Sequence, residues 1–416
     1  MTTRNARIVL YGHFGSGNIG NDSSLEAALY HIRRLRPEAD LLCVCNGPEE
    51  VQQRYGIPAV QIGRVYRPED EPTGGRVVRL AKKAGARLAR EARFWSTTPG
   101  MFRPGDLFMV VGTGAVDDMS VRNPWNAPYE LYKWCQAARL GGAKVLFVSV
   151  GVGPIRNKIS RVLMLRALRL AHYRSYREPY AFDYLRSVGF NTTGDRLYPD
   201  LVFSLPLELP AAREKAAHPP AVIGLGLINY FGWHYDSQNS ELIYQDYLAK
   251  IKRFAGWLLD QGCTIRLIYG DQIDQRPVFD LLAHVKHNGS PTWQGRVVLG
   301  QISNVNELFQ QLAQTDLVVA SRFHNVLCAL MMGLPVISLG YHQKNVDLMK
   351  EMGLEAYCQH IEDFTFEKLV EQCQQYAAGD EALIQRIQHQ GQHYRQQLDE
   401  QYCAILSQPG TPGSLG

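Results

Sequence analysis

The segment Ser321-Arg322-Phe323-His324-Asn325 gathers polar groups directly after the apolar run from Leu317 to Ala320. Arginine presents a planar fork of N–H donors that binds phosphate or carboxylate in bidentate fashion, and histidine exchanges a proton near neutral pH. The helix predicted from Val326 to Met332 brings its positive end to the same place. Either side chain alone would more often be a structural hydrogen-bonding group. The cluster instead predicts an anion-binding and proton-transfer site formed by Ser321, Arg322, His324 and Asn325.

Two further cations are candidates, one after another apolar run and one after a segment rich in arginine. Lys344 comes after the run from Val336 to Leu339, and Arg177 lies in Ser175-Tyr176-Arg177-Glu178. Either cation can add charge to an anion site at the edge of a sheet. The alternative for Lys344 is an ordinary solvated lysine in a loop.

A glycine-rich loop follows the first apolar run and carries four glycines within nine residues, Gly12 to Gly20. Glycine lets a backbone turn tightly and approach a ligand, and the next helix has a plausible capping box at Ser23 and Glu26. The loop has neither the dinucleotide spacing of glycines nor a phosphate-loop lysine. It therefore predicts either a ligand loop or a simple strand-to-helix turn. Its candidate binding residues are Gly17, Asn18, Gly20, Asn21 and Asp22.

A second glycine turn, Gly112-Thr113-Gly114, occupies the equivalent place after another apolar run and is followed by Asp117-Asp118. The Thr113 hydroxyl and the Asp117 carboxylate can bind a sugar hydroxyl. The same groups can also cap a helix, so both roles stay open for this turn.

These candidate residues require a scaffold that brings the ends of many strands together. Short β-branched runs alternate with amphipathic segments of 10 to 15 residues, which indicates parallel sheets covered on both faces. The prolines between Leu205 and Ala221 interrupt this alternation. The pattern predicts an α/β protein with two doubly wound, Rossmann-like domains facing a cleft. The predicted parts are an N-terminal domain (1–205), a linker (206–221), a C-terminal domain (222–380), and a C-terminal helix with a loose tail (381–416).

Composition restricts the class of protein. The 416 residues carry a formal net charge of +4, and 45% are hydrophobic, so neither disorder nor nucleic-acid binding is indicated. Eight cysteines occur without a CxxC pair, which favours reduced thiols over a disulfide framework or a zinc site. We expect no metal and no cofactor, and a cytoplasmic location without a spanning helix.

One predicted helix, from Arg76 to Trp95, is strongly amphipathic. At about 100° per residue, its apolar face carries Val77, Leu80, Ala81, Ala84, Leu88 and Trp95. The opposite face carries Arg76, Arg79, Lys82, Lys83, Arg87, Arg90 and Arg93. This pattern is typical of an element at a membrane surface, here the inner face of the membrane. The alternative is an ordinary solvated helix whose apolar stripe packs on the core.

The order of these motifs resembles the polysaccharide pyruvyl transferase family, which is related to glycosyltransferases of the two-Rossmann GT-B architecture. The resemblance covers most of residues 6 to 370. It rests on Gly17-Asn18-Ile19-Gly20, Gly151-Val152-Gly153-Pro154, Tyr176-Arg177-Glu178, Tyr198-Pro199-Asp200, Ser321-Arg322-Phe323-His324, Gly333-Leu334-Pro335-Val336 and Tyr341 to Lys344.

The resemblance implies transfer of a pyruvyl group from phosphoenolpyruvate to two hydroxyls of a sugar in a polysaccharide or lipid-linked glycan precursor. It assigns His324 as the proton donor and Arg322, Lys344 and Arg177 to the anionic donor, beside Ser321 and Asn325. It assigns the two glycine loops, with Thr113 and Asp117, to the acceptor. Phosphoenolpyruvate is then a co-substrate and the glycan the second partner, while the sequence leaves the oligomeric state open.

Two other functions remain compatible with the sequence, because a fold does not fix a function. A glycosyltransferase that uses a nucleotide sugar would place a carboxylate on the ribose, for which Asp271 and Asp274 are candidates. A glycan-binding subunit without catalytic activity is the third hypothesis.

Overall fold

A computed structural model describes residues 5–63, 75–118, 123–206, 222–232, 239–377 and 381–407. By its contacts the chain forms two compact units. The first comprises the described residues of 1–16, 28–200 and 402–416, and the second those of 17–27 and 201–401. The segment 17–27 thus groups with the second unit, although the sequence places it in the N-terminal domain. Of the expected linker only Pro206 is described, and the tail from residue 408 also lies outside the described residues.

The first unit is built on a sheet of seven parallel strands. Its strands are β1 (Arg7–Tyr11), β2 (Asp40–Cys45), β3 (Ala59–Gln61), β4 (Leu107–Val111), β5 (Lys144–Val150), β6 (Tyr173–Tyr176) and β7 (Arg196–Leu197). The helices in this part of the sequence are α1 (Ile19–Leu35), α2 (Pro48–Tyr55), α3 (Arg76–Thr97), α4 (Ala127–Leu140), α5 (Lys158–Arg169) and α6 (Pro179–Ser187).

The second unit is built on a sheet of six parallel strands. Its strands are β8 (Val222–Gly226), β9 (Thr264–Ile268), β10 (Val297–Leu299), β11 (Leu317–Ala320), β12 (Val336–Gly340) and β13 (Cys358–His360). The helices that follow are α7 (Ser240–Asp260), α8 (Gln275–Asn288), α9 (Val305–Leu312), α10 (Phe323–Met331), α11 (Gln343–Glu351), α12 (Phe366–Ala377) and α13 (Glu381–Leu406). Short 3-10 turns occupy Pro99–Met101, Leu201–Ser204, Gln272–Asp274, Pro291–Trp293 and Glu355–Tyr357.

Both sheets have the same doubly wound order of strands. The first runs β3-β2-β1-β4-β5-β6-β7 and the second β10-β9-β8-β11-β12-β13. In each sheet the order in which strands are added reverses beside the first strand, between β1 and β4 and between β8 and β11. Ligands of such folds bind at this switch point. The predicted class of two Rossmann-like units is confirmed.

The core of each unit explains why its strands are continuous apolar runs. Phe108 of β4 and Phe147 of β5 are fully buried in the first unit, as are Leu267 of β9 and Val319 of β11 in the second. Because helices cover both faces of a parallel sheet, the side chains of β1, β4 and β5 are enclosed after the first residue of each strand. Polar side chains are therefore displaced to the strand ends, where the candidate residues lie. No helix among the described residues is long and apolar enough to cross a bilayer.

Candidate active site

The loops after four adjacent strands of the second unit form one polar edge, which we call the donor edge. It consists of Leu227 to Tyr230 after β8, Tyr269 to Asp274 after β9, Ser321 to Asn325 after β11, and Tyr341 to Lys344 after β12. Because β8 and β11 are neighbours and mark the switch point, Arg322 and His324 lie where the topology predicts a ligand.

Arg322 is held in one orientation by a buried carboxylate. Its Nε and Nη2 atoms donate to the two oxygens of Asp274, each at 2.7 Å. Asp274 is fully buried and also accepts the backbone N–H of Asn229 at 3.0 Å. These bonds use two of the five guanidinium donors, and Arg322 also forms a hydrogen bond with the Tyr341 side chain.

The ion pair keeps Arg322 charged. Burial acts to lower the pKa of Arg322, but the hydrogen bond and the charge of Asp274 outweigh burial and raise it. Burial has the opposite effect on the acid. It raises the pKa of Asp274, and the hydrogen bond to Arg322 opposes that rise. One carboxylate is thus bonded to one guanidinium at this edge.

Lys344 adds a further cation, near the beginning of α11. Its Nζ atom lies 5.2 Å from the ring centroid of Phe323 and 5.9 Å from that of Tyr341. Burial acts to raise the pKa of Tyr341, but the charges of Lys344 and Arg322 outweigh burial and lower it. Lys344 is half-buried. Two cations, Lys344 and Arg322, thus act on the Tyr341 phenol at this edge.

His324 packs against the glycine loop of the N-terminal sequence. A Cβ atom added to Gly20 would overlap the imidazole ring of His324. Only glycine therefore permits this approach of backbone to ring without displacing one of them. The sequence predicts a turn at Gly20 but gives no indication that Gly20 packs against His324.

Two hydrogen bonds from the same loop hold it in the second unit. The N–H of Ile19 donates to the carbonyl of Gly270 at 3.2 Å, and Asn18 Nδ2 donates to Asp271 Oδ2 at 2.9 Å. Asn18 Oδ1 in turn accepts the N–H of Asn21 at 3.1 Å. Five predicted acceptor residues, Gly17, Asn18, Gly20, Asn21 and Asp22, therefore belong to the unit that contains His324.

Asn325 is a fully buried amide beneath the donor edge. Cβ atoms built on Gly226 and Gly270 would lie 3.1 Å from its Nδ2 and 2.9 Å from its Oδ1, so the side chain sits between the ends of β8 and β9. Neither amide atom has a hydrogen-bond partner within the described part of the chain. Unmade hydrogen bonds of a buried amide are costly, so these atoms mark a position where a ligand or a water would be stabilised. Ser321, four residues earlier in the sequence, is also buried.

The strand ends of the first unit gather Arg177 with two carboxylates. Its Nε donates to Glu178 at 2.6 Å, and its Nη1 donates to Asp200 at 2.7 Å and to the Gly112 carbonyl at 3.1 Å. All three charged side chains are buried. Arg177 lies in a different unit from Arg322 and Lys344, and its charge is matched internally.

The second glycine turn also lies in the first unit. Thr113 is buried, and its hydroxyl has no hydrogen-bond partner among the described residues. Asp118 accepts the N–H groups of Arg156 at 2.9 Å and Asn157 at 2.8 Å, just before α5, whose N-cap is Asn157 itself. Asp117 instead lies close to Gly114 and Gly153. Thr113 and Asp117 therefore belong to the first unit, whereas the loop 17–27 belongs to the second.

His13 lies beside this turn. Burial lowers the pKa of His13, although a hydrogen bond to Asn46 and the charge of Asp117 act to raise it. The imidazole is accordingly biased toward its neutral form near Asp117.

Three residues in the donor edge or directly after it have contacts that the sequence does not indicate. Tyr341 was part of a motif but not a site candidate, Asn345 was not considered, and Asp274 was considered only as a ribose ligand. Asn345 is fully buried, and its Nδ2 donates to the carbonyl of Ser321 at 3.4 Å. The available sequence signal for these residues was their position after β9 or β12. Their bonding partners follow a different strand, β11, and could not be identified from that signal. Asp271 and Asp274 are both engaged, with Asn18 and Arg322 respectively.

Comparison with solved structures shows the fold. The chain is similar to the UDP-GlcNAc 2-epimerase of Methanocaldococcus jannaschii, at 12% identity and a TM-score of 0.55 over 89% of this chain and 92% of that chain. It is also similar to the N-terminal domain of the Candida albicans trehalose-6-phosphate phosphatase, at 12% identity and a TM-score of 0.56 over 97% of each chain. A third similar structure is Anabaena HepE in complex with UDP and glucose, at 13% identity and a TM-score of 0.51 over 96% of this chain and all of that chain. At these identities the likeness concerns architecture alone.

A search of curated proteins gave no match. The sequence profile of the polysaccharide pyruvyl transferases matches residues 18–343. That range is most of the chain, and it contains the end of the glycine loop from Asn18, Arg177, and the donor edge as far as Gln343. The chain therefore belongs to the polysaccharide pyruvyl transferase family, a family of polysaccharide-modifying transferases.

Proposed function

We propose that this protein transfers the pyruvyl group of phosphoenolpyruvate to two hydroxyls of one sugar, releasing phosphate and forming a cyclic ketal. The acceptor is a polysaccharide or a lipid-linked glycan precursor. The observation that carries the proposal is the donor edge, where Arg322, Lys344 and His324 come together in one unit. Membership of the family supports the same reaction class.

The charges of the donor edge suit a small dianion or trianion. Asp274 and Tyr341 do not use all five N–H donors of Arg322, and Lys344 adds a second cation near the Tyr341 phenol. The N-termini of α10 and α11 contribute partial positive charge at the same edge. Phosphoenolpyruvate carries both a phosphate and a carboxylate, each of which needs such partners.

The reaction requires one proton on carbon and two protons from hydroxyls. In the proposed scheme His324 protonates the methylene carbon, C2 becomes oxocarbenium-like, and the first sugar hydroxyl adds to C2 while a base takes its proton. The C2–O bond to phosphate then breaks, the second hydroxyl adds, and its proton leaves with the phosphate.

Ligand-dependent thermal stabilisation tests the donor. Phosphoenolpyruvate at one hundred times its Kd should stabilise the protein by about 2.7 kcal/mol, whereas UDP- and GDP-sugars should give no shift. The Lys344→Met variant should lose this stabilisation, while Lys350→Met, an exposed lysine on the same helix, should keep it. Stabilisation by nucleotide sugars alone would favour the glycosyltransferase alternative and remove the proposed donor.

Phosphate release tests the chemical roles. With an acceptor glycan present, His324→Gln should slow release of phosphate from phosphoenolpyruvate by about 10²- to 10⁴-fold, the usual contribution of a general acid. Arg322→Ala should weaken both binding and turnover. If phosphate release survived both changes, the donor edge would not be the catalytic centre, and a binding subunit would become the better description.

A further inference from the structure

Helix α3 leaves most of its length uncovered. Every residue from Val78 to Arg90 is exposed, and the side chains of Leu80 and Leu88 are 60% and 72% exposed. The side chains of Arg76 and Val77 lie outside the described residues. The expected alternative, in which the apolar stripe packs on the core, does not hold for Leu80, Ala81, Ala84 and Leu88.

The end of α3 attaches the helix to the first unit. Glu91 accepts hydrogen bonds from the Tyr129 hydroxyl at 2.8 Å and from Lys133 Nζ at 3.3 Å. The ring of Phe94 packs edge-on against Trp134, with centroids 5.2 Å apart. Glu91 is the one acidic residue in the sequence of α3, and these contacts engage it. The turns before Glu91 therefore present only apolar and basic side chains to their surroundings.

The exposed part of α3 has two chemically distinct faces. At about 100° per residue, Leu80, Ala81, Ala84 and Leu88 share one face. The opposite side carries Arg79, Lys82, Lys83, Arg90 and Arg93, while Arg87 borders the apolar face beside Leu80. Trp125 of the same unit is 46% exposed and lies beside the helix, with the Arg87 guanidinium carbon 5.3 Å from its ring centroid. Tryptophan favours the boundary between water and lipid, because one part of its ring is apolar and the other polar.

We propose that α3 lies flat in the surface of an anionic bilayer, with Leu80 and Leu88 toward the acyl chains and the arginines among the lipid phosphates. A helix of 22 residues is about 33 Å long, enough for several basic side chains to meet lipid phosphates at once. Charge complementarity favours anionic lipid over a protein partner, since the whole length of the basic face would otherwise need a matching acidic groove. This position would bring the first unit to the surface where a lipid-linked acceptor resides.

Co-sedimentation with vesicles tests the electrostatic part. The full chain should bind vesicles of phosphatidylglycerol and phosphatidylcholine, and should not bind vesicles of phosphatidylcholine alone. Arg79→Glu, Arg90→Glu and Arg93→Glu together should lower partitioning at least about 100-fold, because each basic residue contributes several-fold at an anionic surface. The matched control reverses three exposed basic residues of the second unit, Lys286, Lys350 and Arg395, with the same change in net charge. The control should bind as the unchanged chain does.

Raised ionic strength tests the apolar part. Screening weakens attraction between exposed charges, so binding that persists at high salt depends on buried apolar surface. Leu80→Ser with Leu88→Ser should lose this persistent binding and keep the same melting temperature, since both side chains are exposed.

Three results would overturn the proposal. They are a failure of the unchanged chain to bind anionic vesicles, binding of the triple arginine variant at full strength, or salt-resistant binding by the double leucine variant. Any of them would leave α3 as a solvated helix or as a contact for another protein.

Discussion

Each unit has an arginine directly after a strand, but the two arginines have different surroundings. Arg177, after β6, donates to two buried carboxylates, Glu178 and Asp200. Arg322 follows β11 and donates to a single carboxylate, Asp274, through two parallel bonds. Arg177 is almost completely enclosed, whereas the Arg322 side chain is 18% exposed.

We propose that this difference separates a structural arginine, Arg177, from an arginine available to a ligand, Arg322. Two carboxylates match the charge of Arg177 internally, so the ion pairs hold the loops after β4 and β6 together with Asp200. One carboxylate orients Arg322 and leaves donors available, and Lys344 adds positive charge. The position of an arginine at a strand end does not by itself indicate an anion site. The number of carboxylates that bind the arginine, and the N–H donors they leave, decide whether it can bind a ligand.

Removing Arg177 should have the largest effect on stability. The Arg177→Ala change leaves Glu178 and Asp200 buried without their shared cation, which should cost about 3–5 kcal/mol of the free energy of unfolding. The midpoint of urea unfolding measures this loss. Arg196→Ala, an exposed arginine on the next strand, should change stability by less than about 0.5 kcal/mol. A loss below about 1 kcal/mol for Arg177→Ala would remove the structural role and return Arg177 to the donor-binding candidates.

Changing Gly20 should damage the donor edge while sparing the first unit. The added methyl of Gly20→Ala overlaps His324, so ring and loop must separate, at a cost of about 1–3 kcal/mol. Misplacement of a catalytic group by about 1 Å typically lowers the rate about 100-fold, so phosphate release should fall by that factor. Gly391→Ala is the control, because a Cβ atom there meets nothing within 4 Å and the helix α13 favours alanine. Full activity of Gly20→Ala would show that the position of His324 beside Gly20 is not required.

The smallest effect concerns the ionisation of Tyr341. Lys344 and Arg322 lower its pKa by stabilising the phenolate, so the phenol should lose its proton at lower pH than an ordinary tyrosine. Lys344→Met removes one of these charges and should move the pKa upward, while Lys350→Met should leave it unchanged. Ultraviolet titration of each variant, with and without Tyr341→Phe, isolates this phenol. An unchanged titration in Lys344→Met would mean that Lys344 does not set the electrostatics of the donor edge.

Much of the fold was predictable from local patterns. The apolar runs predicted at Leu317 to Ala320 and Val336 to Leu339 coincide with β11 and β12 within one residue. Helices on both faces of a parallel sheet require such runs, and a run of this kind is visible without knowledge of its partners. Short edge strands such as β7 and β13 were missed, because two or three residues give no periodic signal.

The candidate site was predictable in residue type but not in grouping. Arg322, His324 and Lys344 follow neighbouring strands, and the carboxyl ends of neighbouring parallel strands meet at one edge. Arg177 also follows a strand, in the other sheet. Position after a strand therefore could not decide which of the two arginines is available to a ligand. The amphipathic pattern of α3 was also visible, whereas the exposure of its apolar face was not.

The sequence by itself determined the two parallel sheets, the order of the motifs along the chain and the family to which it belongs. These properties follow from apolar periodicity and from residues close together in the chain. Only the tertiary structure decided which carboxylates bind each arginine, and that Gly20 packs against His324. Such contacts join positions separated by tens to hundreds of residues, as in Asn18 with Asp271. They depend on how strands are ordered in space, which no local pattern encodes.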